Sequence, residues 1–195
     1  MTAKILIVYY SLHGSTKMLT NEIALGVEST GCESVIRTVP KVHSELTTGA
    51  NLTHADLPMA TKDDLMTCDA LILGSPCRFG NSAASIKFFL DSTSDIWLSG
   101  KLSGKPFGLF TSTSTLHGGQ ETTLLSMALP LIHHGMLWVG LPATIPAFKN
   151  TKTGGSYYGA THVHTDWNQT LSKEEKIFAN ELGQRVAQIA IKLKN

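Results

Sequence analysis

The sequence predicts an α/β protein: a five-stranded parallel sheet of order 2-1-3-4-5, covered by helices on both faces in a three-layer α/β/α sandwich. Three observations carry this. Short, continuous apolar runs recur along the chain, as expected of strands buried on both faces. Segments with apolar residues at helical spacing lie between them, the alternation that builds parallel sheets. The loops after the first, third and fourth apolar runs are rich in hydroxyl residues and glycine. Right-handed crossovers leave few strand orders for such a chain, and 2-1-3-4-5 is a common one.

The elements follow in order. Ile5–Tyr10 is continuously apolar and β-prone, a strand. From Thr16 to about Ser29, Met18, Leu19, Ile23 and Val27 recur at helical spacing, and Gly31 stops the helix. Ser34–Val39 is a second strand ended by Pro40, and 40–61 has no clear period and is expected as a long loop. Thr61 caps a short helix over Lys62–Met66. Asp69–Ser75 is the third strand. A helix follows over Ser82–Asp91 with Ile86, Phe89 and Leu90 inward; adjacent Phe88 is also expected in the helix–sheet core. Pro106–Ser112 is the fourth strand, Gly119–His134 a helix with Pro130 near its end, and Met136–Val139 a short fifth strand that holds Trp138. The span 140–171 reads as irregular. Ser172–Lys194 is the clearest helix: Ser172 and Glu175 form a capping box, and Phe178, Leu182, Val186, Ile189 and Leu193 form its buried stripe.

Composition narrows the classes. The 195 residues suit one domain over 1–195, large enough to bury a core without disulfides or metal. A minimal unit of this kind needs only ~130 residues, so the stretches 40–61 and 140–171 are long insertions, of the sort that usually serve function. At 42% hydrophobic residues the chain is not disordered. A net charge of +1 and only three arginines, Arg37, Arg78 and Arg185, disfavour nucleic acid. Three cysteines without C-x-x-C spacing fit a reducing compartment. The strand-like run starts at Lys4, which leaves no room for a signal peptide, and no apolar stretch approaches the ~20 residues of a membrane span. A cytoplasmic protein is expected.

In doubly wound sheets, ligands bind beyond the carboxyl ends of the strands where the winding reverses. The first of these loops is Ser11-Leu12-His13-Gly14-Ser15-Thr16, running straight into a helix. Its hydroxyls, glycine-freed amides and helix N-terminus make an anion site or an ordinary capped turn. It lacks the lysine of a nucleotide-binding P-loop and the G-x-G-x-x-G of dinucleotide folds. A site without a basic side chain suits a buried monophosphate ester. The second loop, Pro76-Cys77-Arg78-Phe79-Gly80, is a tight turn expected to offer the amides of Cys77 and Arg78 and the Phe79 ring to a flat ligand. The third, Ser112-Thr113-Ser114-Thr115-Leu116-His117-Gly118, suits the ribityl chain and phosphate of a flavin, or is a solvated surface loop.

Taken together, these segments resemble the WrbA-type flavodoxin-like NAD(P)H:quinone oxidoreductases over nearly the whole chain. Tyr9–Gly14, Gly74–Asn81, Phe110–Glu121, His133–Met136 and Tyr158–Ala160 carry the likeness; Pro-x-Arg-Phe-Gly-Asn and His-Gly-Gly-Gln-Glu are its most specific parts. The resemblance implies a flavodoxin-like fold, FMN as cofactor, NADH or NADPH as co-substrate, and a homotetramer. It implies that the FMN phosphate sits on Ser11 to Thr16 with Ser112 to Gly118 assisting, and the isoalloxazine against Pro76 to Gly80. It also implies that Trp97 covers the outer flavin face and that His133 faces the nicotinamide and quinone site, both from loops a neighbouring subunit can supply. His133 there positions a quinone oxygen or donates its proton. Three positions depart from the family pattern: His13 and Ala143 stand where Tyr is common, and Cys77 where Thr is usual.

The activity so implied is two-electron reduction of a quinone to a hydroquinone. Donor and acceptor take turns in one pocket, so the kinetics are ping-pong. The alternatives are a single-electron flavodoxin carrier, whose strongly acidic docking surface is missing from this near-neutral chain, and a regulatory flavin-binding protein. His162-x-His164-x-Asp166 lacks a fourth ligand at a plausible spacing, so it reads as an exposed loop and no metal is expected. His133 and His134 are adjacent and point to different sides.

Overall fold

The computed structural model describes residues 2–42 and 57–194. Three strands form the centre of the sheet: β1 (Lys4–Tyr9), β3 (Ala70–Pro76) and β4 (Pro106–Thr113). They are buried almost throughout, as their unbroken apolar runs require. β2 (Glu33–Thr38) lies at the edge and is buried only in part. The named strands all pair in parallel, and with β5 (Leu137–Trp138) beyond β4 the order is β2-β1-β3-β4-β5, as predicted.

The fifth position is filled in two instalments. β5 (Leu137–Trp138) pairs with the start of β4 at Pro106 and Phe107, and Val139 N–H extends the pairing to Phe107 C=O at 2.8 Å. The chain then leaves the sheet, makes a 3₁₀ turn over Pro146–Lys149, and returns as β6 (Ala160–Val163) beside Phe110–Thr113. The span 140–171, expected to be irregular, thus completes the sheet. The other expected insertion, 40–61, lies mostly outside the described residues; its return leg bonds to the end of β2, where Ala60 N–H donates to Thr38 C=O at 2.7 Å.

Two helices cover one face, α1 (Ser15–Glu28) and α6 (Lys173–Lys194). They approach closely because glycines meet backbone: a Cβ on Gly26 would fall 2.1 Å from Asn180 O, and one on Gly183 2.2 Å from Ile23 O. The opposite face carries α2 (Lys62–Thr67), α3 (Ala84–Asp91), α4 (Ser94–Leu98) and α5 (Gln120–His133). The capping residues act as predicted. Thr61 and Asp64 exchange bonds at the start of α2, and Ser172 and Glu175 at the start of α6.

Two packing expectations change, and one element is added. On α6 the inner stripe is Phe178, Leu182, Val186 and Ala190; Ile189 is half-buried and Leu193 is exposed, because both lie one position off that i, i+4 row. Phe88 points to solvent while Phe89 is buried. α4, a single short turn, was not anticipated; its Ile96 packs inward while Trp97 and Leu98 face out. Trp138 stacks on Phe107 with ring centroids 6.0 Å apart. Among the described residues no helix is long and apolar enough to cross a membrane.

Candidate active site

The carboxyl ends of β1, β3 and β4 open onto a cavity of about 500 Å³, within the ~300–1,000 Å³ typical of small-molecule sites. The first loop contributes Ser11, Leu12, His13, Ser15 and Thr16 to its wall. Pro76, Cys77 and Arg78 enter from the third-strand loop, and Ser112, Thr113 and Ser114 from the fourth. The last wall residue, His164, follows β6 and was not among the expected site residues.

The first loop is built to leave donors free. Gly14 has φ +92°, a left-handed conformation that costs glycine little, and a Cβ there would meet open space. Its N–H donates to Ser11 Oγ at 3.1 Å, which closes the turn. Gly14 is also the N-cap of α1, which has no side-chain cap and no acidic residue in its first turn. The first amides of this fourteen-residue helix therefore meet the cavity uncompensated, as an anion would require. Thr16 and Ser112 are buried and share a hydrogen bond of 2.9 Å, joining the starts of α1 and the β4 loop in the cavity floor.

The third-strand loop differs from expectation. Cys77 N–H donates to Ser112 C=O and Arg78 N–H to Asn81 C=O, both at 2.8 Å, so neither amide is free for a ligand. Asn81 N–H returns to Arg78 C=O, closing a turn with Phe79 at φ 52° and Gly80 at φ 75°. Two positive φ values are those of a type I′ turn, uncommon for a bulky residue. The turn holds the Phe79 ring fully in solvent. The Arg78 guanidinium folds back to Cys77 C=O at 2.8 Å, and the Cys77 thiol donates to Gly118 C=O at 3.0 Å. Thr115, Leu116 and His117 are exposed beside the cavity rather than in its wall, held by Gln120 Nε2 donating to Thr115 and Leu116 C=O.

Trp97 and His133 come together elsewhere. The Trp97 indole N–H donates to His133 C=O at 2.8 Å, and both line a second cavity of about 320 Å³ between α3, α4 and α5. That cavity shares no wall residue with the first. His134 turns inward, as expected of the adjacent pair: its Nε2 lies 2.9 Å from Thr93 Oγ1, and burial lowers its pKa.

The His162-x-His164 segment is not an exposed loop. His162 is fully buried in β6, its Nδ1 3.0 Å from Glu175 Oε2. Glu175 also accepts from the amides of Gly154, Val163 and Ser172. Burial alone would raise this carboxyl; the His162 imidazole and the amides of Ser172 and Val163 reverse that and hold it down to about 2. Glu175 thus caps α6 and also anchors β6. Among the described residues no three His, Cys, Asp or Glu side chains are grouped to hold a metal ion.

The donors fit a phosphate ester: hydroxyls, an uncapped helix start and no carboxylate in the wall. The comparisons agree. The sequence profile of the NADPH-dependent FMN reductases matches residues 3–147. A Syntrophobacter fumaroxidans protein named NAD(P)H dehydrogenase (quinone) is 42% identical over 97% of this chain and 98% of its own. A Geobacter sulfurreducens protein of the same name is 41% identical over the same shares. The crystal structure of a WrbA-like flavodoxin from Agrobacterium tumefaciens superposes with a TM-score of 0.71 at 25% identity, covering 98% of this chain and 99% of that one. The chain therefore belongs to the NADPH-dependent FMN reductase family, and within it to the WrbA-type, flavodoxin-like NAD(P)H:quinone oxidoreductases.

Proposed function

We propose that this chain is an FMN-dependent NAD(P)H:quinone oxidoreductase that reduces quinones to hydroquinones by two electrons. The observation that carries the reading is the hydroxyl-lined cavity on the uncapped start of α1, in a chain whose curated relatives bear that enzyme's name. FMN, when bound, accepts a hydride from the nicotinamide and passes two electrons to the quinone.

The chain's own residues bind and orient. Ser11, Ser15, Thr16 and Ser112 supply hydroxyls to the phosphate, with the first amides of α1. Thr113, Ser114 and the neighbouring 115–118 segment border the ribityl side. Pro76, Cys77 and Arg78 form the wall beside the flat ring system, and Phe79, held out in solvent, extends that wall toward a partner. His13 borders the nicotinamide side.

Trp97 and His133 act across a subunit boundary. They line a cavity separate from the hydroxyl-lined one, and the same two helices, α4 and α5, carry the exposed apolar residues Leu98, Leu125, Leu129 and Ile132. An exposed apolar patch of this kind marks a contact surface. In a homotetramer a second copy brings Trp97 over the outer flavin face and His133 to the substrate oxygen, where it positions the quinone. Nicotinamide and quinone then occupy the same face in turn, giving ping-pong kinetics.

The test is reconstitution with FMN followed by NADH and NADPH oxidation with and without benzoquinone. Quinone-stimulated turnover with parallel-line initial-rate kinetics is expected. No stimulation, together with a one-electron-reduced flavin that persists on photoreduction, would replace the enzyme reading with a single-electron carrier.

A further inference from the structure

We infer that His164 is a phosphate-binding residue of the flavin site, an imidazole donor contributed by the segment after β6. This rests on the flavin reading above and adds to it a ligand from outside the three loops. The first loop carries no lysine or arginine and its one imidazole, His13, is exposed, so an anion there has chiefly hydroxyls and amides from that loop. The fold supplies the missing ring. β6 pairs with the end of β4, and the pairing continues past the strand: His164 N–H donates to Thr113 C=O at 2.8 Å. This pins His164 beside Ser112, Thr113 and Ser114, and His164 lines the same cavity as Ser15 and Thr16.

The ring is held from behind. His162, locked by its bond to the buried Glu175 carboxylate, meets His164 edge to face with centroids 5.6 Å apart. His164 Nδ1 is enclosed and has no hydrogen-bond partner. An enclosed lone pair costs less than an enclosed, unpaired N–H, which selects the tautomer with hydrogen on Nε2. That edge is left to donate to a ligand. The other basic groups of the wall do not replace it: the Arg78 guanidinium is folded onto Cys77 C=O, and the His13 side chain is exposed. Asp166, two residues on, is exposed.

Riboflavin, which is FMN without its phosphate, separates this role from a structural one. The full chain, stripped of flavin, is titrated with FMN and with riboflavin, following the quenching of flavin fluorescence. Wild type is expected to prefer FMN. His164→Ala should weaken FMN about tenfold or more, the usual effect of losing a hydrogen bond to a charged group, and leave riboflavin within about twofold. His164→Gln, whose amide nitrogen can stand near the position of Nε2, should recover most of the FMN affinity. FMN and riboflavin weakening together, or FMN affinity untouched in His164→Ala, would overturn the assignment while the flavin reading stands. Failure of wild type to bind FMN would overturn both.

Discussion

Thr16 and Ser112 stand 96 positions apart in the chain, yet their hydroxyl oxygens lie 2.9 Å from each other, buried in the floor of the cavity. The contact ties the start of α1 to the end of β4, so two of the three site loops share one foundation. Ser112→Ala leaves the Thr16 hydroxyl buried without this partner, a loss of about 1–3 kcal/mol. A lower Tm by calorimetry and weaker FMN binding are both expected; an unchanged Tm would mean that the pair adds nothing.

Gly14 separates charge from shape. Its left-handed φ and the open space at its Cβ position make Gly14→Ala a mild backbone penalty, about 1 kcal/mol, with FMN retained. Gly14→Asp adds a carboxylate within a few ångströms of the phosphate. At an effective dielectric near 20, repulsion at about 5 Å weakens binding on the order of 100-fold. Fluorescence titration of the two variants checks the contrast, and equal FMN affinities would refute the phosphate placement.

Trp97→Ala should lower quinone-stimulated turnover far more than FMN affinity, because Trp97 sits apart from the hydroxyl-lined cavity. It should also weaken assembly, read as a smaller mass by light scattering. If turnover is untouched, Trp97 is structural only.

Phe79 stores strain. A residue with a bulky side chain at φ 52° costs of order 1–3 kcal/mol, and a fully exposed ring recovers little of that within one chain. Phe79→Asn, which tolerates the left-handed region, should raise Tm by a few degrees while turnover falls. A variant that is both less stable and fully active would remove the functional reading of the turn.

The buried Glu175 makes stability acid-sensitive. Its pKa is lowered from 4.5 to about 2 on folding, so the unfolded chain takes up the proton first as pH falls. The stabilisation, roughly 3 kcal/mol, is fully present above pH 4.5 and is lost as pH drops from there toward 2. Calorimetry should show Tm falling through that window. Glu175→Gln should have a lower Tm at neutral pH and a flatter profile below 4.5; an identical profile would show that another group carries the acid transition.

The loops Ser11–Thr16 and Ser112–Ser114 were legible as site segments because their chemistry is local: hydroxyls and glycine directly after a buried strand have few structural uses. The strand order was legible for a similar reason, since unbroken apolar runs with short crossovers admit few arrangements. The free amides expected at Cys77 and Arg78 were not there, because whether an amide is free depends on what lies opposite it. Ser112 and Asn81 carbonyls took both.

β6 and His164 show the boundary most clearly. Ala160-Thr-His-Val163 carries too little apolar pattern to announce a strand, and a histidine in such a stretch reads as solvent-exposed. Pairing with β4 makes it a strand, and Glu175, thirteen residues beyond His162, makes that histidine tolerable in the core. The order of the sheet and the hydroxyl loops follow from interactions a residue makes with its sequence neighbours and with water. The completion of the fifth strand position, the burial of His162 and the presence of His164 in the cavity wall follow from partners that only folding brings near. Polar groups are buried where those partners satisfy them, and no local pattern records that.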